Sequence, residues 1–377
     1  MRILVAMSGG VDSAVTAGLL AEAGQEVIGV TLQLYESGPR RHRGACCAGE
    51  DIHDARRVAD HLGIPHYVID AEARFRAAVL EDFAASYARG ETPVPCVRCN
   101  QTVKFADLSR LAVELGAEAL ATGHYVWRIE GAEGPELHRA RDLARDQSWF
   151  LFALTRAQLA LARFPLGEFS DKAEVRGVAA RLGLPVAEKP DSQDLCFAPG
   201  GNHAEVAGRM RPEALAAGDI VSADGRVLEG HQGLARYTVG QARRLGRASF
   251  DGGERQVVVG LEAARRRVIV GPRGSGTRRV ALGEINWLVA APRAPIRAAV
   301  KLRAREAPQP ATIFPDRGEL LLDVPALPAP GQAAVFYDGS RVLGGGFIRR
   351  AIDLDPSAGE MMDGAGQETA YSGVAQR

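Results

Sequence analysis

Three short stretches of this chain carry side chains able to do chemistry. The first is Ser8-Gly9-Gly10-Val11-Asp12-Ser13. Two glycines let a backbone turn tightly and approach a ligand with no Cβ in the way. Ser8 and Ser13 add hydroxyl donors, and Asp12 offers a carboxylate for a magnesium ion. Set between a strand and a helix, such a turn faces the helix dipole and its unbonded N–H groups, so it reads as a cradle for phosphate. It lacks the Gly-Lys-Ser/Thr ending of the commonest phosphate loop. An incidental glycine pair is the plainer reading, and the placement of the hexamer at the start of a βαβ unit argues against it.

The second stretch, Thr92-Pro93-Val94-Pro95-Cys96-Val97-Arg98-Cys99-Asn100, holds a C-x-x-C motif. A proline-stiffened loop just before a helix is the expected setting. There the helix dipole and Arg98 would lower a thiol pKa. Alone, C-x-x-C suits a redox pair, half a zinc site or iron–sulfur ligands; no second C-x-x-C or His pair completes a structural zinc site. The third stretch, Lys189-Pro190-Asp191-Ser192-Gln193-Asp194-Leu195-Cys196-Phe197, holds a lone cysteine in polar surroundings. On residue type alone, Cys196 reads as a buried inert thiol. Cys46 and Cys47 lie in a loop and read as bystanders.

Alternating strand and helix patterns must position these residues. Strands are expected over 2–7, 26–34, 66–70 and 119–122, and helices over 14–22, 50–62, 74–89 and 102–115. That alternation means a parallel sheet with right-handed crossovers and a ligand site beyond the carboxyl ends of its strands. Two more helices are expected over 148–161 and 170–182, the second capped by Ser170. From about residue 218 the chain becomes turn-rich and Val-rich, and short strands recur between 279 and 348, which suggests a small β-barrel. The tail from 353 lacks periodicity and reads as disordered.

Lys+Arg and Asp+Glu are equal at 46 each, so net charge favours no partner and any nucleic-acid binding must rest on local patches. Hydrophobic residues make up 46%, enough for ordinary cores. No apolar run approaches the ~18 residues of a membrane span, and the first ten residues show no signal-peptide pattern. A cytoplasmic protein with no membrane association is therefore expected, where cysteines serve catalysis or metal binding more often than disulfides.

SGGVDS resembles the phosphate loop of the PP-loop ATP pyrophosphatases, which cleave ATP between the α and β phosphates and activate an oxygen as its adenylate. With it, ATGHYV (121–126), RDQSWFL (145–151), DSQDLCF (191–197), EGHQGL (229–234), YTVGQ (237–241), PGQAAVFYDG (330–339) and LGGG (343–346) match, in order, the tRNA-specific 2-thiouridylases. The resemblance covers essentially 1–350. It implies an α/β fold: a Rossmann-like PP-loop domain with a parallel sheet (1–200), a small central tRNA-binding domain (201–275) and a C-terminal β-barrel (276–352), followed by the tail (353–377). It also implies ATP and Mg2+ as cofactors, a tRNA with a wobble uridine as substrate, and replacement of that base's C2 oxygen by sulfur.

By position in the motifs, Ala6, Met7, Ser8, Gly9, Gly10, Val11, Asp12, Ser13, Leu32 and Gly123 would contact ATP, with Asp12 on the metal. Val94, Pro95, Cys96, His124, Arg145, Asp146, Gln147, Arg303 and Gln332 would contact tRNA. Cys196 would carry sulfur as a persulfide, and Cys99 matches the second catalytic cysteine. The donor would be a cysteine desulfurase, a relay protein or sulfide. Two departures matter. Many members have Asp where this chain has Cys96, so Cys96, Cys99 and Cys196 could instead hold an iron–sulfur cluster. Relatives often have Arg-Tyr where this chain has Arg303-Ala304. Arg40–Arg43, Arg243-Arg244, Arg265–Arg267 and Arg297–Arg305 would follow RNA backbone, although each cluster alone reads equally as a solvated face. The alternatives are another PP-loop adenylating ligase, which needs no thiol pair, or an RNA-binding module without turnover; tRNA-dependent pyrophosphate release separates them.

Overall fold

A computed structural model describes residues 1–35, 49–191 and 194–351. Cys46, Cys47, the 40–43 basic cluster and the tail lie outside the described residues.

The N-terminal part alternates β1 (Arg2–Ala6), α1 (Val11–Glu22), β2 (Glu26–Gln33), α2 (Gly49–Leu62) and β3 (His66–Asp70). Two composite helices follow. In the first, α3 (Glu72–Phe75) and α4 (Glu81–Ala88) join through a π-turn at Arg76–Leu80; in the second, α5 (Pro95–Cys99) and α6 (Phe105–Glu114) join through one at Asn100–Lys104. Next come β4 (Ala119–Ala121), a hairpin of β5 (Val126–Gly131) and β6 (Gly134–Arg139), α7 (Arg156–Leu161), β7 (Ala162–Arg163) and α8 (Lys172–Arg181). The sheet order β3-β2-β1-β4-β7 is parallel throughout. Leu4 and Val5 at its centre are wholly buried, as a strand covered by helices on both faces requires.

Past α9 (His203–Met210), the chain makes a five-stranded sheet of β8 (Gly218–Ser222), β9 (Val227–His231), β10 (Phe250–Asp251), β11 (Glu254–Glu262) and β12 (Arg267–Pro272). The last part is a six-stranded antiparallel barrel: β13 (Thr277–Trp287), β14 (Ile296–Lys301), β15 (Gln309–Phe314), β16 (Glu319–Ala326), β17 (Ala333–Asp338) and β18 (Arg341–Ala351). The order β13-β16-β15-β14-β17-β18 closes by pairing β13 with β18.

The barrel is joined to the N-terminal part by a shared core. Strand β17 shows how. Ala334 and Phe336 point into the barrel, while Ala333, Val335 and Tyr337 pack with Leu4, Trp149 and Phe152 in the N-terminal core. Period-two alternation thus serves two cores at once, which is why β17 reads as a continuous apolar run. The β5–β6 hairpin, which no sequence pattern marks, pairs with barrel strand β18 through Arg341 opposite His138.

Four local expectations change. Helix α1 begins at Val11 rather than 14, so Asp12 and Ser13 lie in its first turn. Helix α5 begins at Pro95, so the C-x-x-C is inside a helix rather than in a loop before it. The expected 148–161 helix is broken: a single 3-10 turn at Ser148–Phe150, then α7, which Thr155 starts with a reciprocal capping box to Gln158. Helix α8 is capped by Asp171, which accepts from Glu174 N, and not by Ser170.

Candidate active site

Gly9 has φ +74°, and a Cβ there would lie 2.1 Å from the Asp51 carbonyl oxygen. Glycine is therefore required at this turn by the backbone of α2. Gly10 is extended (φ −93°) and caps α1. Ser13 braces the loop: its Oγ accepts from Ser8 N at 3.1 Å and donates to Gly10 O at 3.0 Å. At the end of β4, a Cβ on Gly123 would come within 2.9 Å of Asp12 C and Ser13 N, so glycine lets β4 press against the first turn of α1.

Two cavities meet at this loop. The inner one, about 200 Å3, lies beyond the carboxyl ends of β1, β2 and β4. Ala6, Met7, Ser8, Asp12, Ser13, Leu32, Lys104, Gly123 and His124 line it. Apolar walls at Val30, Leu34 and Leu108 beside polar groups at the helix N-terminus suit a nucleoside and its first phosphate. The outer one is a polar cleft of about 740 Å3 whose walls come from the loop, residues 139–150, residues 189–191 and the barrel segment 301–307. Ser8, Asp12 and Gln147 line both.

Asp12 is held from sequence-distant elements. Its Oδ1 accepts from Tyr125 Oη at 2.6 Å and Lys172 Nζ at 2.6 Å. Burial, then the Asp12 charge, pushes the Tyr125 hydroxyl up, so it remains a donor. Lys172 also pairs with Asp191 at 2.9 Å, and Asp191 takes Arg145 at 2.7 Å and Arg176 at 3.3 Å. Although burial opposes it, hydrogen bonds from Lys172 and Arg145 hold the Asp191 carboxyl below its usual range. Lys189 donates to Gly9 O at 3.1 Å and to Asp51 and Asp54 at 2.6 Å each, tying the phosphate loop to the segment that leads to Cys196. The sequence reading missed Tyr125, Lys172 and Lys189 as site residues. Tyr125 and Lys189 stand inside stretches already singled out, whereas Lys172 carries no local signal.

The residues expected to contact RNA are distributed between the two cavities and the joints around them. His124 lines the inner cavity, its Nδ1 2.8 Å from Thr122 Oγ1. Burial, aided by Lys104, pushes it down to about 3, so the ring is neutral. Asp146 is buried: Oδ2 accepts from Arg139 at 3.0 Å, and Oδ1 from Ala140 N and Ser148 N at 3.3 and 3.1 Å. Gln147 Oε1 accepts from Tyr125 N at 3.0 Å. Arg303 donates to Val239 O and Leu327 O at 2.7 and 3.0 Å, joining the central sheet to the barrel. Gln332 donates to Thr92 O at 3.0 Å. Val94 and Pro95 are buried at the start of α5. Arg145 faces the outer cleft.

None of Cys96, Cys99 and Cys196 is in a disulfide. Cys99 is buried, and Cys196 packs against the same core. The expected activation by Arg98 does not occur. That guanidinium turns to the barrel, bonding Glu284 at 2.5 and 2.8 Å and lying 4.1 Å over the Phe347 ring. Burial instead pushes the Cys99 thiol up to about 11, against the pull of Lys104. Nor do the cysteines fit a cluster: among the described residues, no three His, Cys, Asp or Glu side chains converge as metal ligands. The next residue, Asn100, donates to Phe150 O at 3.2 Å, and Phe150 lines the outer cleft, so the end of α5 is tied to the cleft wall.

Residues 1–200 match the family described as tRNA methyl transferase HUP domain, and 277–348 the aminomethyltransferase beta-barrel domain. Among curated proteins, the tRNA-specific 2-thiouridylase MnmA of Acidiphilium cryptum is 66% identical over 92% of this chain and 100% of its own. Its counterpart in Gluconobacter oxydans is 59% identical over 92% of this chain and 99% of its own. A third, from Rhodospirillum centenum, is 54% identical over 98% and 96%.

Proposed function

The chain belongs to the tRNA-specific 2-thiouridylase family, and from that premise we propose how its cavities carry out ATP-dependent 2-thiolation of a tRNA wobble uridine. The observation that carries the reading is the seam between the cavities. Asp12, in the first turn of a helix, faces a nucleoside-sized space on one side and a cleft wide enough for a flipped nucleotide on the other.

The C2 carbonyl of uracil is a poor electrophile because oxide is a poor leaving group. ATP in the inner cavity sets its base against Leu32 and Gly123 and its α-phosphate at the N-terminus of α1. Ser8 donates to the phosphates, and Ser13 holds the loop in shape around them. Asp12, a single carboxylate beside hydroxyls and phosphate, fits the way magnesium is commonly held, and the ion would neutralise charge on the leaving pyrophosphate. The uracil O2, entering from the cleft, attacks the α-phosphorus; the O2–P bond forms, the bond to the β-phosphate oxygen breaks, and pyrophosphate departs on the side of Arg145 and Lys172. Carbon C2 now carries AMP as its leaving group. A persulfide on Cys196 delivers its outer sulfur to C2 and AMP leaves. Cys99 thiolate then attacks the inner sulfur, freeing the thiocarbonyl and leaving a Cys99–Cys196 disulfide for a thiol reductant. The persulfide comes from a sulfurtransferase partner in the cytoplasm. No helix among the described residues is long and apolar enough to cross a membrane.

Asp12→Ala tests the seam. It should abolish tRNA-dependent pyrophosphate release and leave tRNA affinity within about twofold, since phosphate contacts are dispersed. Normal pyrophosphate release would sink the assignment.

A further inference from the structure

A lysine on the helical wall of the inner cavity stands between the nucleotide and the sulfur chemistry. Lys104 is the last residue of the π-turn that joins α5 to α6, and it lines that cavity together with Ser8, Ser13 and Gly123. Among the described residues lining it, Lys104 is the one cation. His124 is neutral, and the carboxylate present, Asp12, already takes Lys172 at 2.6 Å. The phosphate loop meets an α-phosphate with hydroxyls and backbone N–H groups, which are dipoles; an ammonium on the opposite wall adds a formal charge.

The π-turn brings the same lysine towards Cys99. At 3.6 residues per turn, residues five apart on a regular helix fall on different sides. Here Phe105 N donates to Asn100 O, an i→i+5 bond that widens the turn and brings Lys104 back towards the side of Cys99. The ring of Phe105 lies 6.1 Å from that of His124, which fixes this end of the turn against the cavity. Both neighbours feel the charge. Lys104 opposes the effect of burial on the Cys99 thiol, and it disfavours a protonated His124.

We propose that Lys104 binds the α-phosphate of the nucleotide in the inner cavity and, once AMP has left, turns its charge to Cys99. The ligand class is an adenosine 5′-phosphate, free or joined to the base. While that phosphate is present the ammonium is engaged and Cys99 stays a thiol, so it does not attack the Cys196 persulfide before the base is activated. After AMP departs, the ammonium favours the Cys99 thiolate, which attacks the inner sulfur. The Cys99–Cys196 bond forms, the bond to the outer sulfur breaks, and its electron pair stays on the sulfur now held by C2. Lys104 keeps its proton throughout, and the proton of Cys99 goes to water. The order of events rests on the proposed function; the phosphate contact does not.

The test uses the wild type, Lys104→Met and Lys104→Arg as full chains without tRNA, so that no turnover is involved. Calorimetry reads the binding of AMP and of adenosine, and mass spectrometry follows iodoacetamide labelling of Cys99 at pH 8. In the wild type, AMP should slow that labelling about tenfold more than adenosine does at equal occupancy. Lys104→Met should weaken AMP binding about tenfold with adenosine binding unchanged, and Lys104→Arg should retain AMP affinity. It should also slow Cys99 labelling in the nucleotide-free protein and remove the difference between AMP and adenosine. Equal loss of AMP and adenosine affinity would place Lys104 on the sugar or base and overturn the inference. Equal slowing by AMP and adenosine in the wild type would show shielding rather than charge, and would overturn the role at Cys99. That comparison needs no variant, so it stands even if Lys104→Met lowers the thermal midpoint. Absence of tRNA-dependent pyrophosphate release from the wild type would count against the proposed function alone.

Discussion

At the scale of single residues, the two proposed catalytic thiols differ in environment before any substrate arrives. Cys99 is buried with its thiol pushed up to about 11, whereas Cys196 is half-buried in a turn. A thiolate is the reacting species, so the Cys99 modification rate should climb with pH up to about 11, and at pH 8 iodoacetamide should label Cys196 well before Cys99. Mass spectrometry of quenched time points reads both; faster labelling of Cys99 at neutral pH would contradict its burial. The same difference predicts function. Cys196→Ser should eliminate 2-thiouridine while tRNA-dependent pyrophosphate release persists, because adenylation requires only ATP, metal and the base oxygen. Thiolation surviving that change would remove Cys196 from the sulfur path.

At the scale of elements, the composite helix α5–α6 is clamped to the barrel at its first turn. Arg98 reaches Glu284 on β13 and lies over Phe347 on β18, with Asp82 at 3.5 Å on its other side. Glu284 is in the left-handed region, φ +51°, at an irregular stretch of the β13–β18 pairing, a backbone state that costs a non-glycine residue roughly 1 kcal/mol. The bulge aims the carboxylate at the helix. Glu284→Gln keeps the shape and removes the charge. The pair is partly exposed, so the loss of stability should be only about 1 kcal/mol. Its local effect should be larger: amides of Cys96–Cys99 and the following π-turn should exchange faster, with α6 unchanged. Uniform exchange across the helix would show that the clamp does not hold its first turn.

At the scale of the molecule, cores and sheets do not divide in the same way. One core combines Leu4, Phe75, Cys99 and Trp149 with the barrel residues Leu288, Val335, Tyr337 and Phe347. Asn286 strengthens the joint, donating from the barrel to Phe152 O and Leu154 O at 2.7 and 2.8 Å. The central sheet has its own core of Ile220, Tyr237, Val258 and Val268. Native-state hydrogen exchange should therefore find β1, β2, β17 and β18 opening as one unit, and β11 and β12 as another with a lower opening free energy. Separate opening of β1 and β17 would mean that the shared core does not couple them.

What the sequence determined by itself is what neighbours along the chain decide. Strand, glycine turn and helix at 2–22 follow from an apolar run, a residue needing φ +74° and a following helical segment, all within reach of one another. Strand β3 falls at the expected 66–70 for the same reason. The parallel sheet and barrel follow from the periods of burial. Tertiary structure alone decided which charges meet and which groups lose water. Arg98 lies beside Cys99 in sequence but gives its charge to Glu284, 186 positions away, and Asp12 takes its lysine from 160 positions away. Desolvation sets the state of the Cys99 thiol, and desolvation is the sum of everything packed around it, from both ends of the chain. Coulomb energy likewise follows distance through the fold rather than separation along the chain.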